Sequence, residues 1–133
     1  EYAMYGFSVQ IGLGFEQTIE RVTEALKSEG FGILSDIDVQ ATLKAKIGVE
    51  KRPYRILGAC NPSLANQALD ADPDIGLLLP CNVVVRQEET GGTTVAFMDP
   101  KAVLALVDNP QVGTLAGQVR EKLDRVAASL VDA

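Results

Sequence analysis

The residues best suited to chemistry in this chain are two cysteines that lie in similar phrases. Cys60 is part of Gly-Ala-Cys-Asn-Pro at residues 58–62, and Cys81 is part of Leu-Pro-Cys-Asn-Val at residues 79–83. Both phrases fall at the boundary of an expected strand. Because Asn61 is a good helix N-cap, the sulfur of Cys60 is expected beside a helix N-terminus, whose partial positive charge lowers the pKa of a thiol.

We expect the two phrases to fold next to each other around a pocket for a small ligand. Strand ends favour such a site because backbone groups leave the hydrogen-bonded ladder there. A helix N-terminus favours anions, and a tyrosine and an arginine on the strand leading to Cys60 could orient an anionic or planar ligand. The expected ligand-binding residues are Tyr54, Arg55, Cys60, Asn61, Pro62, Cys81 and Asn82.

A second hypothesis makes the cysteines catalytic, with Cys60 as nucleophile and Cys81 as resolving thiol. It competes with a plain structural interpretation, in which a free cysteine is a small buried hydrophobe. The spacing is not C-x-x-C, the signature of a thioredoxin-like site. Two thiols also fall short of the four ligands of a closed zinc site unless a dimer supplies the others, so we expect no metal site. No cofactor is indicated.

Other catalytic and binding motifs are missing or incomplete. The chain contains no histidine, which removes His-based triads and His-ligated zinc. Asp-x-Asp-x-Asp at residues 70–74 begins like a calcium loop, but Ile75 stands where the turn glycine belongs and Cys81 where the bidentate glutamate belongs. Gly-x-Gly at residues 12–14 lacks the third glycine of a dinucleotide site, since residue 17 is Gln.

Charge and hydropathy exclude two classes of partner. A net charge of −6 and a pI of about 4.6 disfavour nucleic acid. We expect the one basic cluster to be a solvated face and not an anion site; it comprises Lys44, Lys46, Lys51, Arg52 and Arg55. No apolar stretch approaches the roughly 18–20 residues of a membrane span. Residues 1–6 lack the features of a signal peptide, so we expect a cytoplasmic location, although the chain does not begin with Met and removal of an upstream segment stays open.

Hydrophobic periodicity and turn residues predict one α+β domain over residues 1–133, with a two-layer arrangement, a five-stranded mixed sheet, a terminal β-hairpin and helices mainly on one face. Strands are expected at 3–11, 31–37, 54–59, 82–89 and 93–98, and helices at 15–27, 39–47, 62–69, 100–107 and 112–130. The apolar stripe of the last helix has a seven-residue rhythm. We expect it to cover the sheet, with packing on a partner subunit as the alternative.

Two long phrases resemble the family catalogued as domain of unknown function 302. They are Lys-Arg-Pro-Tyr-Arg-Ile-Leu-Gly-Ala-Cys-Asn-Pro at residues 51–62 and Leu-Leu-Leu-Pro-Cys-Asn-Val-Val-Val at residues 77–85. The resemblance extends over nearly the whole chain. It implies a small α+β domain that pairs as a homodimer, and it carries no catalytic residues that could be transferred here.

Three functional hypotheses follow from these observations. The first is a homodimeric small-ligand-binding or accessory domain with its pocket near the cysteines, and a small anion as the expected ligand. The second is a thiol-dependent enzyme or redox protein that uses Cys60 and Cys81. The third is a structural or partner-binding module, which requires an exposed apolar patch beyond the dimer contact.

Overall fold

The fold is a six-stranded sheet packed against helices, in a computed structural model that describes residues 2–131. Residues 1, 132 and 133 of the expected domain lie outside the described part. The strands are β1 Tyr2–Ala3, β2 Gly6–Ile11, β3 Gly32–Asp38, β4 Tyr54–Cys60, β5 Cys81–Gln87 and β6 Thr93–Met98. The helices are α1 Phe15–Ser28, α2 Val39–Ile47, α3 Pro62–Ala71, α4 Pro100–Val103 and α5 Pro110–Val131, with 3₁₀ helices at Pro73–Leu78 and Leu104–Leu106.

The sheet confirms the α+β class and corrects the expected sheet type. Strand order is β1-β2-β6-β5-β4-β3, and every neighbouring pair is antiparallel, so the sheet is not mixed. The alternation of directions means that β2 and β3, which α1 connects, run the same way. They do not pair because β6, β5 and β4 lie between them. The sixth strand is the two-residue β1. The sequence predicts a single strand over residues 3–11, where the structure has the end of β1 and all of β2.

One side of the sheet, the helix face, carries the main core. Side chains alternate across a strand, so Leu57 on β4, Val83 and Val85 on β5, and Val95 and Phe97 on β6 share this face, and all five are at most 1% exposed. Helices α1 and α5 cover it. The apolar stripe of α5 is buried in this core and in a smaller cluster beside α3, which confirms the prediction that it packs within the chain.

The opposite side, the open face, has residues of intermediate burial and no helix of the main core. It presents Tyr54, Ile56, Val84, Ala96 and Met98, the neighbours of helix-face residues along their strands. An antiparallel sheet commonly turns one face to water, but such a face is usually polar. This one has apolar side chains at its middle, with polar side chains such as Gln10, Asn82 and Arg86 around them. Among residues 2–131, no helix is both long enough and apolar enough to traverse a bilayer.

Candidate functional site

The two cysteines meet at one end of the sheet. Cys81 is the first residue of β5 and pairs across the ladder with Ala59, the residue before Cys60 at the end of β4. Both cysteines are free, Cys60 being half-buried and Cys81 buried. Both line an apolar pocket of about 300 Å³, which we call the cysteine pocket. The predicted meeting of the two phrases is therefore present in the structure.

Five segments besides the ends of β4 and β5 build the walls of the cysteine pocket. They are the start of β3, helix α3, the two 3₁₀ helices and the first half of α5. Their lining residues are Phe31, Leu34, Leu64, Ala65, Ala68, Leu69, Gly76, Leu79, Pro80, Leu104, Leu115 and Val119. Phe31 and Val119 are at most 9% exposed, whereas Leu34 is 70% exposed. The pocket thus runs from a leucine at the surface to the buried core.

Asn61 holds this end of the sheet together. Its Oδ1 accepts a hydrogen bond from the backbone N–H of Leu64 at 3.3 Å, which caps α3 as predicted. Its Nδ2 donates to the backbone carbonyl of Glu29 at 3.4 Å, just after α1. Gly30, at φ +85°, leaves room for this amide, since an added Cβ would lie 2.9 Å from Nδ2. Asn61 therefore lines the pocket with both ends of its side chain already engaged.

Burial of Cys81 disfavours the thiolate form of its side chain. Desolvation, and secondarily the charge of a Cys60 thiolate, raise the pKa of Cys81 to about 11. Near neutral pH the Cys81 thiol is therefore protonated and behaves as a small apolar side chain with a weak donor.

Among residues 2–131, no charged side chain lines the cysteine pocket. Asn61 and the two thiols are the only polar side chains that these residues contribute to it. An anion inside would consequently have no cation to offset its desolvation, and the pocket gives no support to the expected anionic ligand. Within residues 2–131, no group of three or more Cys, Asp or Glu residues is arranged to hold a metal ion.

The other predicted site residues do not line this pocket. Tyr54 and Asn82 line a separate groove of about 430 Å³ on the open face, together with Arg86. Arg55 points to the helix face, where its Nε and Nη2 contact the carboxylate of Asp36 at 2.7 and 2.6 Å. Pro62 is exposed at the first position of α3. The predicted single site is therefore divided between two faces because adjacent strand residues point to opposite sides.

The basic cluster of the sequence is also divided. Lys44 forms an exposed ion pair with Glu50, Arg52 donates from Nε to the carbonyl of Gln87 at 3.3 Å, and Arg55 pairs with Asp36. These contacts engage three of the five cations. They fit the prediction of a solvated face better than that of an anion site.

Sequence reasoning missed the depth of the cysteine pocket and the open-face groove. Ala65 and Ala68 lie on the inward side of α3, but nothing in the local sequence marks them as the wall of a pocket. Leu34 lies at the exposed end of the pocket, where the register of β3 shifts between Ile33 and Ser35. No turn-forming residue in the sequence indicates this shift. Small residues repeated on an inward helix side are the one signal that could have indicated room for a ligand.

The fold and the site together define a class: a small antiparallel α+β domain with two free thiols at an apolar pocket. The family model described as domain of unknown function DUF302 matches residues 7–130, and the chain belongs to that family. It is similar to the solved structure described as "Crystal structure of uncharacterized conserved protein DUF302 from Bacillus stearothermophilus". The TM-score is 0.89 and the identity 32%, over 96% of this chain and 99% of that one. No curated protein matches the chain.

Proposed function

We propose that this domain binds a small molecule in the cysteine pocket and acts as a non-enzymatic ligand-binding or accessory domain. The observation that carries the proposal is the pocket itself. Its volume of about 300 Å³ lies at the lower end of the roughly 300–1,000 Å³ of small-molecule sites. Such sites are mostly apolar with a few polar groups, and Asn61 and the two thiols supply those groups here.

Thermal unfolding with a panel of ligand classes tests this proposal. A ligand that binds only the folded state at about 100 times its Kd stabilises by roughly 2.7 kcal/mol. The panel contains an uncharged apolar alcohol, inorganic phosphate, a nucleotide and a monovalent soft metal. We expect at least one class to raise the Tm of the unmodified protein. If no class raises it, the proposal fails.

A matched pair of variants assigns any stabilisation to the pocket. Ala65→Leu places a larger side chain in the pocket wall on α3, and Ala128→Leu makes the same change on the exposed side of α5. The ligand-induced rise in Tm should be lost in Ala65→Leu and kept in Ala128→Leu. Loss in both variants, or in neither, would place the ligand elsewhere.

We further propose that the domain acts as a homodimer paired through the open face. The support is the apolar character of this face, where Ile56, Val84 and Met98 are half-buried and Ile37, paired with Ile56, is 48% exposed. An uncovered apolar sheet face is stabilised by a second layer. The resemblance to a family of homodimers favours a second copy as that layer.

Sedimentation equilibrium tests the pairing. Val84→Lys puts a charge in the middle of the open face, and Ala128→Lys adds the same charge on the exposed side of α5. We expect a dimer for the unmodified protein and for Ala128→Lys, and a monomer of unchanged circular dichroism for Val84→Lys. A dimer that survives Val84→Lys would rule out this interface. If the unmodified protein is a monomer, the homodimer proposal is wrong.

The thiol-enzyme alternative is favoured by one observation, the meeting of both cysteines in one pocket. It requires Cys81 to become a thiolate during turnover, and burial opposes this. Alkylation rates measured against pH for the Cys60→Ser variant report Cys81 alone. An apparent pKa near neutrality would support the enzyme, whereas a value far above the usual range for a thiol would leave it without its resolving group.

A further inference from the structure

We propose that the ligand of the cysteine pocket is a single aliphatic chain, uncharged in the part that enters. This inference rests on the proposed function and narrows it to one chemical class. The first argument is the lining, in which Leu, Ala, Val and Pro side chains predominate and Phe31 is the one aromatic ring. Flat aromatic ligands are usually held by stacking on aromatic side chains, and a single ring gives no second surface for such a ligand.

The second argument is electrostatic. No Lys or Arg lines the pocket, and both polar ends of the Asn61 side chain are already hydrogen-bonded to backbone groups. The Cys81 thiol is protonated near neutral pH because burial raises its pKa. A charged group inside would lose its hydration without gaining a partner, which is strongly unfavourable. A polar head group must therefore stay at the mouth, in water.

The third argument is the path from the surface to the core. At the mouth lie Leu34 and Leu69, which are 70% and 41% exposed, and at the inner end lie Leu115 and Val119, which are at most 9% exposed. Apolar surface thus continues from solvent into the interior. An aliphatic chain can follow this path, with its methyl end against Leu115 and Val119 and the methylenes nearest its head group against Leu34 and Leu69. A compact molecule would contact only the inner part of the pocket.

The test is a calorimetric titration of the unmodified protein with 1-alkanols from 1-butanol to 1-decanol. Each methylene that enters the pocket should tighten binding about fourfold, which is the burial free energy of about 0.8 kcal/mol expressed as a ratio. The gain should stop at the length that fills the path. Binding that does not strengthen with chain length would overturn the inference.

Two matched ligands separate this inference from the proposed function. Decanoate is the charged counterpart of 1-decanol, and with its head group at the mouth it should bind within about tenfold of the alcohol. The aromatic alcohol 2-naphthol should bind more weakly than 1-decanol. If 2-naphthol binds more tightly, the pocket is a small-molecule site but not a chain site. If neither alcohol binds, the proposed function fails as well.

Variants at both ends of the path complete the experiment. Ala65→Leu should abolish binding of the longer alkanols, and Ala128→Leu should leave it unchanged. Because Ala65→Leu alters a packed wall, Leu69→Ser at the exposed mouth provides a change that the fold tolerates. Leu69→Ser should weaken the binding of the longest alkanols several-fold and leave the binding of the shortest ones unchanged. Equal weakening at all chain lengths would contradict the path.

The chain could come from a free amphiphile or from a membrane lipid, and a flotation assay with dioleoylphosphatidylcholine vesicles distinguishes them. A space of about 300 Å³ suits one chain and not two. We therefore expect the protein to remain unbound to vesicles while it binds 1-decanol in solution. Capture by vesicles that Leu34→Ser abolishes would contradict the assignment to a free single chain.

Discussion

At the residue scale, two adjacent threonines on β6 differ in one hydrogen bond. Both are 1% exposed, but Thr93 donates from Oγ1 to the carbonyl of Leu13 at 2.9 Å, whereas Oγ1 of Thr94 has no partner among the described residues. A buried hydroxyl without a partner is destabilising, and so is a carbonyl deprived of its donor. The same substitution should therefore have opposite effects at the two positions.

We predict that Thr93→Val lowers the free energy of unfolding by about 1–3 kcal/mol, because the carbonyl of Leu13 loses the closer of its two hydroxyl donors and keeps only the long contact with Thr18 Oγ1 at 3.5 Å. Thr94→Val should leave stability unchanged or raise it by up to about 1 kcal/mol, because it removes an unsatisfied group of the same shape. Urea denaturation of both variants measures the difference. Equal losses would show that Thr94 has a partner in solution.

The buried thiol predicts a specific pH dependence of stability. The pKa of Cys81 rises from 9.0 to about 11 on folding, so below pH 9 the folded and unfolded chains both keep the proton. Above that pH the unfolded chain releases it first, and stability falls as the pH rises toward 11. Relative to Cys81→Ala, the unmodified protein should lose roughly 2–3 kcal/mol of unfolding free energy over this window. If unfolding free energy depends on pH in the same way in both proteins, the Cys81 thiol is not buried.

At the element scale, Gly58 on β4 marks a close approach next to the cysteine pocket. A Cβ there would clash with Ser35 Oγ and lie 2.8 Å from Cγ of Pro80, a pocket residue. The Ser35 side chain can rotate away, but the proline ring cannot. The absence of a side chain at Gly58 therefore lets the segment before β5 pack on β4 and brings Cys81 to its position.

We predict that Gly58→Ala destabilises the protein by about 1–3 kcal/mol, the usual range for overpacking. Gly117 is the matched control, because a Cβ there meets no atom within 4 Å and the residue lies inside α5. Gly117→Ala should stabilise by about 0.5–1 kcal/mol, since alanine favours a helix. Thermal unfolding of both variants checks the pair. Stabilisation of Gly58→Ala would disprove the close approach.

The elements were largely predictable from the sequence, and their arrangement was not. Asn61 caps α3 as predicted, and Asp38 at the start of α2 and Gly30 and Gly48 after helix ends are residue types that favour these positions. These signals are local. The pairing of β6 with β2 joins segments about ninety residues apart, which no local signal encodes. The prediction of a mixed sheet was wrong because it depends on which distant strands pair.

At the scale of the whole molecule, the same limit applies to the site. The meeting of Cys60 and Cys81 was predictable because two similar phrases at strand ends suggested it. The separation of Tyr54 from Arg55, and of Cys81 from Asn82, follows from which side of each strand faces the helices. That choice depends on the packing of α1 and α5 on the completed sheet. The sequence therefore indicated where the pocket lies and three of its lining residues, Cys60, Asn61 and Cys81, but not the others.

The two faces of the sheet assign separate roles within one small domain. The helix face forms the core and, where it ends at α3, leaves the cysteine pocket. The open face is not covered by α1 or α5, and it is where we propose that a second copy binds. Because β4 and β5 contribute to both, a ligand in the pocket and a partner on the open face would contact the same two strands.

Ligand binding in the cysteine pocket is the central proposal for this domain. The most direct measurement is a methyl NMR titration of protein labelled at Leu, Val and Ile with 1-decanol. We predict shifts at Leu64, Leu115 and Val119 in the pocket, and none at Val84 or Ile56 on the open face. Shifts confined to the open face, or the absence of shifts at any methyl group, would contradict the account.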